Sequence, residues 1–384
     1  MKGLCTEILP EYGTLEDIIK YREDLQEPPE LDDNKKLHPE DVVVRVCTTT
    51  VAVDDIHGAE GTYLSLFRTS PTKKDDVSVT HPYIPGFECC GIVVRAGEKA
   101  IEKYPLGSKV MCFQSTRNQH FGTWGEYFVF SPRRKAIDDP FIFPKPDNLS
   151  DVEAVASIVP LRVATATLSK AVFKAMEEDK TDDRAKVMVV VGASGAIGTV
   201  VLQAARNLWP EATIIAICSA SKRQYALELG ASSVIAYDEE PQWGFAEQLA
   251  QKADVVLDLI GGKQCFQQGR AALHRNGIFN STVGPLKFVG DDGKRSILRF
   301  MLMVFVIIGR LVSNLWNSRK YFVRDMSQNA DVELYQRLLK TDKAINPPVD
   351  SVLKISEDSK TIREAIHRVR HHRTKGRLVL QVVD

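Results

Sequence analysis

The stretch Val187-Met188-Val189-Val190-Val191-Gly192-Ala193-Ser194-Gly195-Ala196-Ile197-Gly198 decides the fold. Its first five residues are apolar without interruption, which reads as a strand that has no polar face and so belongs in a sheet covered on both sides. Three glycines follow at the spacing G-x-x-G-x-x-G, and Thr199 to Leu208 continues as a helix. At such a turn free backbone N–H groups and the positive end of the helix dipole face a common point, and glycine lets a phosphate come close to the backbone. Gly192, Ser194, Gly195, Ala196 and Ile197 are therefore the expected partners of a dinucleotide pyrophosphate.

Outward from this turn, strands and helices alternate. Thr213 to Ile217 reads as a second strand, Ser221 to Leu229 as a helix, Val234 to Ala236 as a third strand and Val255 to Leu259 as a fourth. That alternation predicts the α/β class with a doubly wound parallel sheet, the Rossmann arrangement. The second strand runs into Cys218-Ser219-Ala220-Ser221-Lys222-Arg223, where no carboxylate is present to bind a ribose 2′-OH. Ser219, Lys222 and Arg223 offer a hydroxyl and two cations to a 2′-phosphate instead, and Tyr237 after the third strand would close the adenosine side. NADPH is expected in preference to NADH.

Before residue 150 the texture is different. An acidic, Pro-containing stretch from Glu11 to Asp41 reads mostly as loop, and short strands follow at Val42–Val46, Gly91–Val94, Lys109–Phe113 and Trp124–Phe130, broken by Gly and Pro. This is the pattern of an irregular β domain. Ser150 and Glu153 have the spacing of a capping box that opens a helix. The tail returns to β character over Arg377–Val383, after a helix with Ile362, Ala365, Ile366 and Val369 on one face.

Composition narrows the function classes. A chain of 384 residues, 44% hydrophobic and 26% charged, is globular and long enough for two domains. Fifty Lys and Arg against fifty Asp and Glu leave no net field for nucleic acid or an anionic membrane, so any such affinity requires a local patch. The seven cysteines are scattered with no C-x-x-C pair, which excludes a disulfide framework and a structural zinc knot and points to a reducing compartment. Met1 to Tyr12 has neither the basic start and apolar run of a signal peptide nor the Arg and Ser bias of a transit peptide, and a cytoplasmic location is expected.

Several segments, in order, resemble the medium-chain dehydrogenase/reductases. Pro85-Gly86-Phe87-Glu88-Cys89-Cys90-Gly91-Ile92-Val93 is similar to the family's P-G-x-E-x-x-G-x-V, and Leu106-Gly107-Ser108-Lys109-Val110 to its V-G-D-x-V. Pro160-Leu161-Arg162-Val163-Ala164-Thr165-Ala166 resembles P-L-x-x-x-T-A, followed by the glycine turn, Leu229-Gly230-Ala231, Asp258-Leu259-Ile260-Gly261-Gly262 and Lys375-Gly376-Arg377-Leu378-Val379-Leu380. The resemblance covers nearly the whole chain and is specific to the zinc-independent, quinone-oxidoreductase-like branch; through Pro347–Val352 it is nearest to fungal, lipid-droplet-associated members.

The resemblance implies a GroES-like catalytic domain at residues 1–157 and 325–384 around a Rossmann domain at 158–324. It also implies hydride transfer from NADPH to a quinone, enal or enone, and often a homodimer. Zinc-dependent relatives carry His at the place of Phe87, a Cys ligand in the segment Val51–Asp55, and Cys or His near Pro160–Arg162; this chain offers no thiolate or imidazole there, so no metal is expected. Tyr63 lies near a tyrosine used by related enoyl reductases and is the candidate proton donor. Thr165, Val283 and Gly284 match positions that line the nicotinamide. A weakly catalytic, membrane-associated scaffold that keeps the fold is the alternative reading.

One insert stands apart, at 296–316. Every residue from Phe300 to Ile308 is apolar, between Arg299 and Arg310, and Trp316 follows. The run is too short to cross a bilayer, which takes about 20 residues. A lid over an apolar substrate, a dimer contact and a helix lying in a lipid interface remain as its three readings.

Overall fold

The computed structural model describes residues 1–7, 14–60, 77–114, 121–133, 140–177, 185–285, 297–323, 334–335, 337–338, 345 and 349–383. The chain divides into two compact units, one of residues Met1–Val159, Gly293–Arg295 and Pro347–Asp384, the other of Pro160–Asp292 and Ser296–Asn346.

The first unit opens with β1 (Gly3–Cys5), α1 (Leu15–Ile18) and β2 (Lys20–Arg22), the two strands pairing antiparallel. Sequence reading gave this region to loop; its short elements hold because Leu15 and Ile19 are fully buried in the core. Next come β3 (Val42–Val51), α2 (Val53–Ala59), β4 (Glu88–Ala96), α3 (Ala100–Lys103), β5 (Lys109–Phe113), β6 (Tyr127–Phe130) and β7 (Phe141–Pro144). β6 begins three residues later than expected. Trp124 N–H and Thr123 N–H are taken by the carbonyls of Pro85 and Gly86, so this segment folds as a buried loop beside the strand. β3 is buried at nine of its ten positions because it pairs with strands along both edges and both faces are covered.

α4 (Asp151–Thr167) starts with the expected capping box: Ser150 N–H donates to Glu153 Oε2 at 2.8 Å and Glu153 N–H to Ser150 Oγ at 3.2 Å. After α5 (Lys170–Glu177) the second unit runs β8 (Val187–Val191), α6 (Ala196–Leu208), β9 (Thr213–Cys218), α7 (Arg223–Glu228), β10 (Ser233–Ala236), β11 (Ala253–Asp258), α8 (Lys263–Ala272), β12 (Leu273–Ser281), α9 (Ile297–Ser313) and β13 (Lys320–Val323); the elements as far as β11, and α9, are those the sequence predicts, while α8, β12 and β13 are not. The sheet is parallel throughout, in the order β10-β9-β8-β11-β12-β13. Strand order reverses direction at β8, which has β9 on one side and β11 on the other, and a ligand crevice belongs at the carboxyl ends of those strands.

The chain then returns to the first unit through β14 (Val349–Lys354), α10 (Ser359–Arg370) and β15 (Arg377–Gln381), giving a sheet ordered β14-β15-β3-β4-β5-β7 with β6 on β3. This is a GroES-like β domain combined with a Rossmann sheet, of the α/β class. Asp358 caps α10 by accepting from Lys360 N–H and Thr361 N–H at 3.0 and 3.1 Å. At its other end Arg370 is buried between the carboxylates of Glu16 and Glu60, which hold it well above the usual guanidinium range against the opposing effect of burial. The two ends of the chain are thereby tied in one core.

Candidate functional site

The crevice in the second unit is built on three strand ends. After β8, Gly192 takes φ +80°, a conformation suited to glycine, and a Cβ there would meet Ile260 Cδ1 at 2.8 Å. At Gly198 a Cβ would lie 2.2 Å from Gly192 O, so the turn and α6 touch backbone to backbone. Gly195 differs: a Cβ would find only Gly192 O, at 3.5 Å, and the position faces open space. No side chain caps the N-terminus of α6, which leaves its first N–H groups and dipole for a ligand approaching over Gly195. The residues expected to hold a pyrophosphate therefore fit one.

Asp258, the last residue of β11, organises the next two loops. It is buried, and its Oδ1 accepts from Ile260 N–H at 3.0 Å, Gly261 N–H at 2.8 Å and the Cys265 thiol at 3.0 Å. Its Oδ2 accepts from Ser281 Oγ at 2.9 Å, and Ser281 Oγ in turn accepts from Gly284 N–H at 2.9 Å. One carboxylate thus sets the backbone of residues 260–261 and, through Ser281, of Gly284. Gly262 N–H donates to Gly284 O at 3.2 Å, closing the two loops on each other. Thr282 Oγ1 meets Thr167 Oγ1 at 3.0 Å and Asn280 donates to Thr167 O at 2.7 Å, which brings the end of α4 beside them. Thr165, nearby on that helix, is buried and its hydroxyl donates to Arg162 O at 2.9 Å. Thr165, two residues before Thr167, and Val283 and Gly284, which follow Thr282, lie on the segments that these bonds join.

At the far side of the crevice the residues after β9 separate. Ser219 and Ser221 face each other with 3.2 Å between hydroxyls, and Tyr237, half exposed, has its N–H on Cys218 O at 3.0 Å. Arg223 is committed elsewhere: it donates to Val234 O at 3.0 Å and pairs with Glu239, fastening α7 to β10. Lys222, the other expected cation, is the last residue of the short 3-10 turn that follows β9. A carboxylate is also present that the strand-end motif does not contain. Asp238 accepts from Ala220 N–H at 2.9 Å, reaching the β9 loop from the following strand.

In the first unit a second polar cluster is buried where zinc-dependent relatives would place ligands. Glu88 and Arg377 form an ion pair; Thr50 donates to Glu88 Oε1 at 2.5 Å and receives Arg377 Nη2 at 2.7 Å, and Val159 N–H donates to Glu88 Oε2 at 2.9 Å. Asp55 reaches back to accept from Ala52 N–H at 2.7 Å, while its Oδ1 and Arg377 Nε have no hydrogen-bond partner among the described residues. Burial pushes the Asp55 carboxyl up to about 7 against the pull of Arg377, and pushes Arg377 down to about 10. Phe87 offers no ligand, and among the described residues no three His, Cys, Asp or Glu side chains are grouped to hold a metal ion. The seven cysteines are free and buried; burial raises the Cys5 thiol to about 11 and the Cys90 thiol further. Tyr63 lies outside the described residues.

Known proteins match in the same two parts. Residues 38–139 match the alcohol dehydrogenase GroES-like domain, and 196–314 the zinc-binding dehydrogenase family. Protein YIM1 of Saccharomyces cerevisiae is 24% identical over 306 residues, 76% of this chain and 79% of that protein. The quinone oxidoreductase of Coxiella burnetii superposes with a TM-score of 0.70 at 19% identity, covering 100% of this chain and 99% of that one. The Escherichia coli quinone oxidoreductase complexed with NADPH does so with 0.67 at 18%, covering 100% of both.

Proposed function

We propose that this chain, which is built as a medium-chain dehydrogenase/reductase and fits the zinc-independent, quinone-oxidoreductase-like branch, is an NADPH-dependent reductase of a quinone, enal or enone. The observation that carries the reading is the uncapped start of α6 with open space over Gly195, next to loops locked by Asp258. The N–H groups at Gly195, Ala196 and Ile197 hold the pyrophosphate, Ser219 and Lys222 the 2′-phosphate, and Tyr237 the adenosine. Thr165, Val283 and Gly284 orient the nicotinamide ring. NADPH, when bound, supplies a hydride to an electrophilic carbon. Tyr63 is assigned the proton delivered to the substrate oxygen, in place of a Lewis-acid metal.

Fluorescence titration of the purified protein with NADPH and NADH tests the cofactor. Lys222→Ala is expected to weaken NADPH binding about tenfold, roughly 1.4 kcal/mol, and to leave NADH unchanged, while Arg223→Ala has the smaller effect because Glu239 already holds that guanidinium. Gly195→Val should abolish binding of both. Absence of NADPH binding would overturn the reading and favour the non-catalytic scaffold. Tyr63→Phe with unchanged turnover of an enone or quinone would remove Tyr63 as the donor.

A further inference from the structure

The loops after β9 and β10 lie side by side, because the two strands pair level at their ends, with Cys218 opposite Ala236. Ser219 and Tyr237 are the next residues on each, and Tyr237 N–H donates to Cys218 O at 3.0 Å. In a sheet of this kind the adenosine ribose is read at the end of the second strand, where an acceptor suits a 2′-OH and a cation a 2′-phosphate. β9 itself ends without a carboxylate. Asp238 brings one from the neighbouring loop, and its Oδ1 accepts from Ala220 N–H at 2.9 Å.

That bond sets the acid next to Ser219, on the turn that carries Lys222. The buried Cys218 thiol feels the charges on both loops: burial raises its pKa, Lys222 and Arg223 lower it, and Asp238 raises it again. Asp238 is exposed, and among the described residues no Lys, Arg or His pairs with it, so its Oδ2 is left to accept from a ligand. Residues 219–223 and 236–240 together hold Lys222 and Arg223 against Asp238, Glu239 and Glu240, and Glu239 is the acid that holds Arg223. A 2′-phosphate, with about two negative charges near neutral pH, therefore meets Lys222 in the company of an unpaired carboxylate, and finds the Ala220 N–H already taken. A ribose 2′-OH meets the same carboxylate as a donor, and a hydrogen bond to an ionised acceptor is among the stronger ones.

We infer that Asp238 is a specificity-determining residue of the dinucleotide site: its carboxylate accepts the 2′-OH of NADH and repels the 2′-phosphate of NADPH, so that the chain takes NADH beside NADPH. The inference rests on the crevice being a nicotinamide dinucleotide site, and it adds a second cofactor to that site. Asp238 thus does from the loop after β10 what an acid at the end of β9 would otherwise do.

Fluorescence titration of the full-length protein with NADH and NADPH, for the parent, Asp238→Asn and Asp238→Ala, tests this. The parent is expected to bind NADH within roughly tenfold of NADPH. Asn keeps an oxygen for Ala220 N–H and removes the charge, so Asp238→Asn should bind NADPH about fivefold more tightly and NADH about threefold more weakly, moving the ratio of dissociation constants roughly tenfold or more toward NADPH. Asp238→Ala should move the ratio the same way, with an added loss common to both dinucleotides because Ala220 N–H is released. Circular dichroism and thermal unfolding equal to those of the parent verify that the variants are folded. A parent that binds NADPH and not NADH, or an Asn variant whose ratio equals the parent's, would overturn the inference while leaving NADPH binding intact. Equal weakening of both dinucleotides by Ala, with none by Asn, would overturn it in favour of a role in holding the loop alone. A parent that binds neither would overturn the dinucleotide site itself, and the inference with it.

Discussion

Two aspartates, both about 1% exposed, show how differently the two units treat a buried carboxylate. Asp258 in the second unit accepts four hydrogen bonds, from two backbone N–H groups, a thiol and a hydroxyl. Asp55 in the first accepts Ala52 N–H on one oxygen, and its other oxygen has no hydrogen-bond partner among the described residues. Burial alone disfavours an ionised carboxylate, and what restores it is the number of donors aimed at it. Asp258 therefore serves as a hydrogen-bonded anchor around which two loops of the crevice are set, whereas burial pushes the Asp55 carboxyl up to about 7.

The largest effect of breaking this contrast should come from Asp258→Ala. Four donors would lose their acceptor in a closed space, at a cost of about 3–6 kcal/mol of folding stability. Thermal unfolding measures that loss, and NADPH affinity should fall with it because residues 260–262 and 281–284 are no longer held. An Asp258→Ala protein as stable as the parent would show that the network is incidental.

Asp55→Asn should act in the opposite sense and only over part of the pH range. The Asp55 pKa is about 7 in the folded protein, above its unfolded value, so the folded state binds the extra proton. The contribution of Asp55 to stability is then greatest below about pH 4, declines as pH rises toward 7, and is constant above that. Asn carries no charge, and the variant should gain on the parent across that window by about 2–4 kcal/mol. Chemical denaturation at pH 4, 5.5 and 7.5 measures the difference. A difference that does not change with pH would mean that Asp55 is ionised throughout.

Ser281→Ala is the mildest test. It removes the relay between Asp258 Oδ2 and Gly284 N–H while leaving the three Oδ1 bonds, so a stability loss of about 1–2 kcal/mol is expected. Its weakening of NADPH should exceed any change in overall secondary structure by circular dichroism, because only the 281–284 loop is released.

Much of this was legible along the chain. The glycine turn, the apolar strands around it and the capping box at Ser150 each depend on neighbours within a few residues, and the structure places them where their patterns indicate. Asp258 was visible only as part of a D-x-x-G-G match, since its donors come from residues as far away as Ser281. Arg223 looked equivalent to Lys222 until Glu239, sixteen residues on, proved to hold it. Asp238 went unnoticed for a related reason: the motif at the end of β9 has no carboxylate, and one arrives from the next strand. The short β1–β2 pair was missed because three-residue strands have no period to read.

The sequence by itself determined the class of fold and the position of the phosphate turn, because these follow from local periodicity and glycine placement. Tertiary structure alone decided that Arg223 is held by Glu239, which of several aspartates are buried and with how many donors, and that the apolar face of α9 stays uncovered. Those outcomes depend on groups brought together from distant parts of the chain, and no spacing within one segment encodes the partner that arrives.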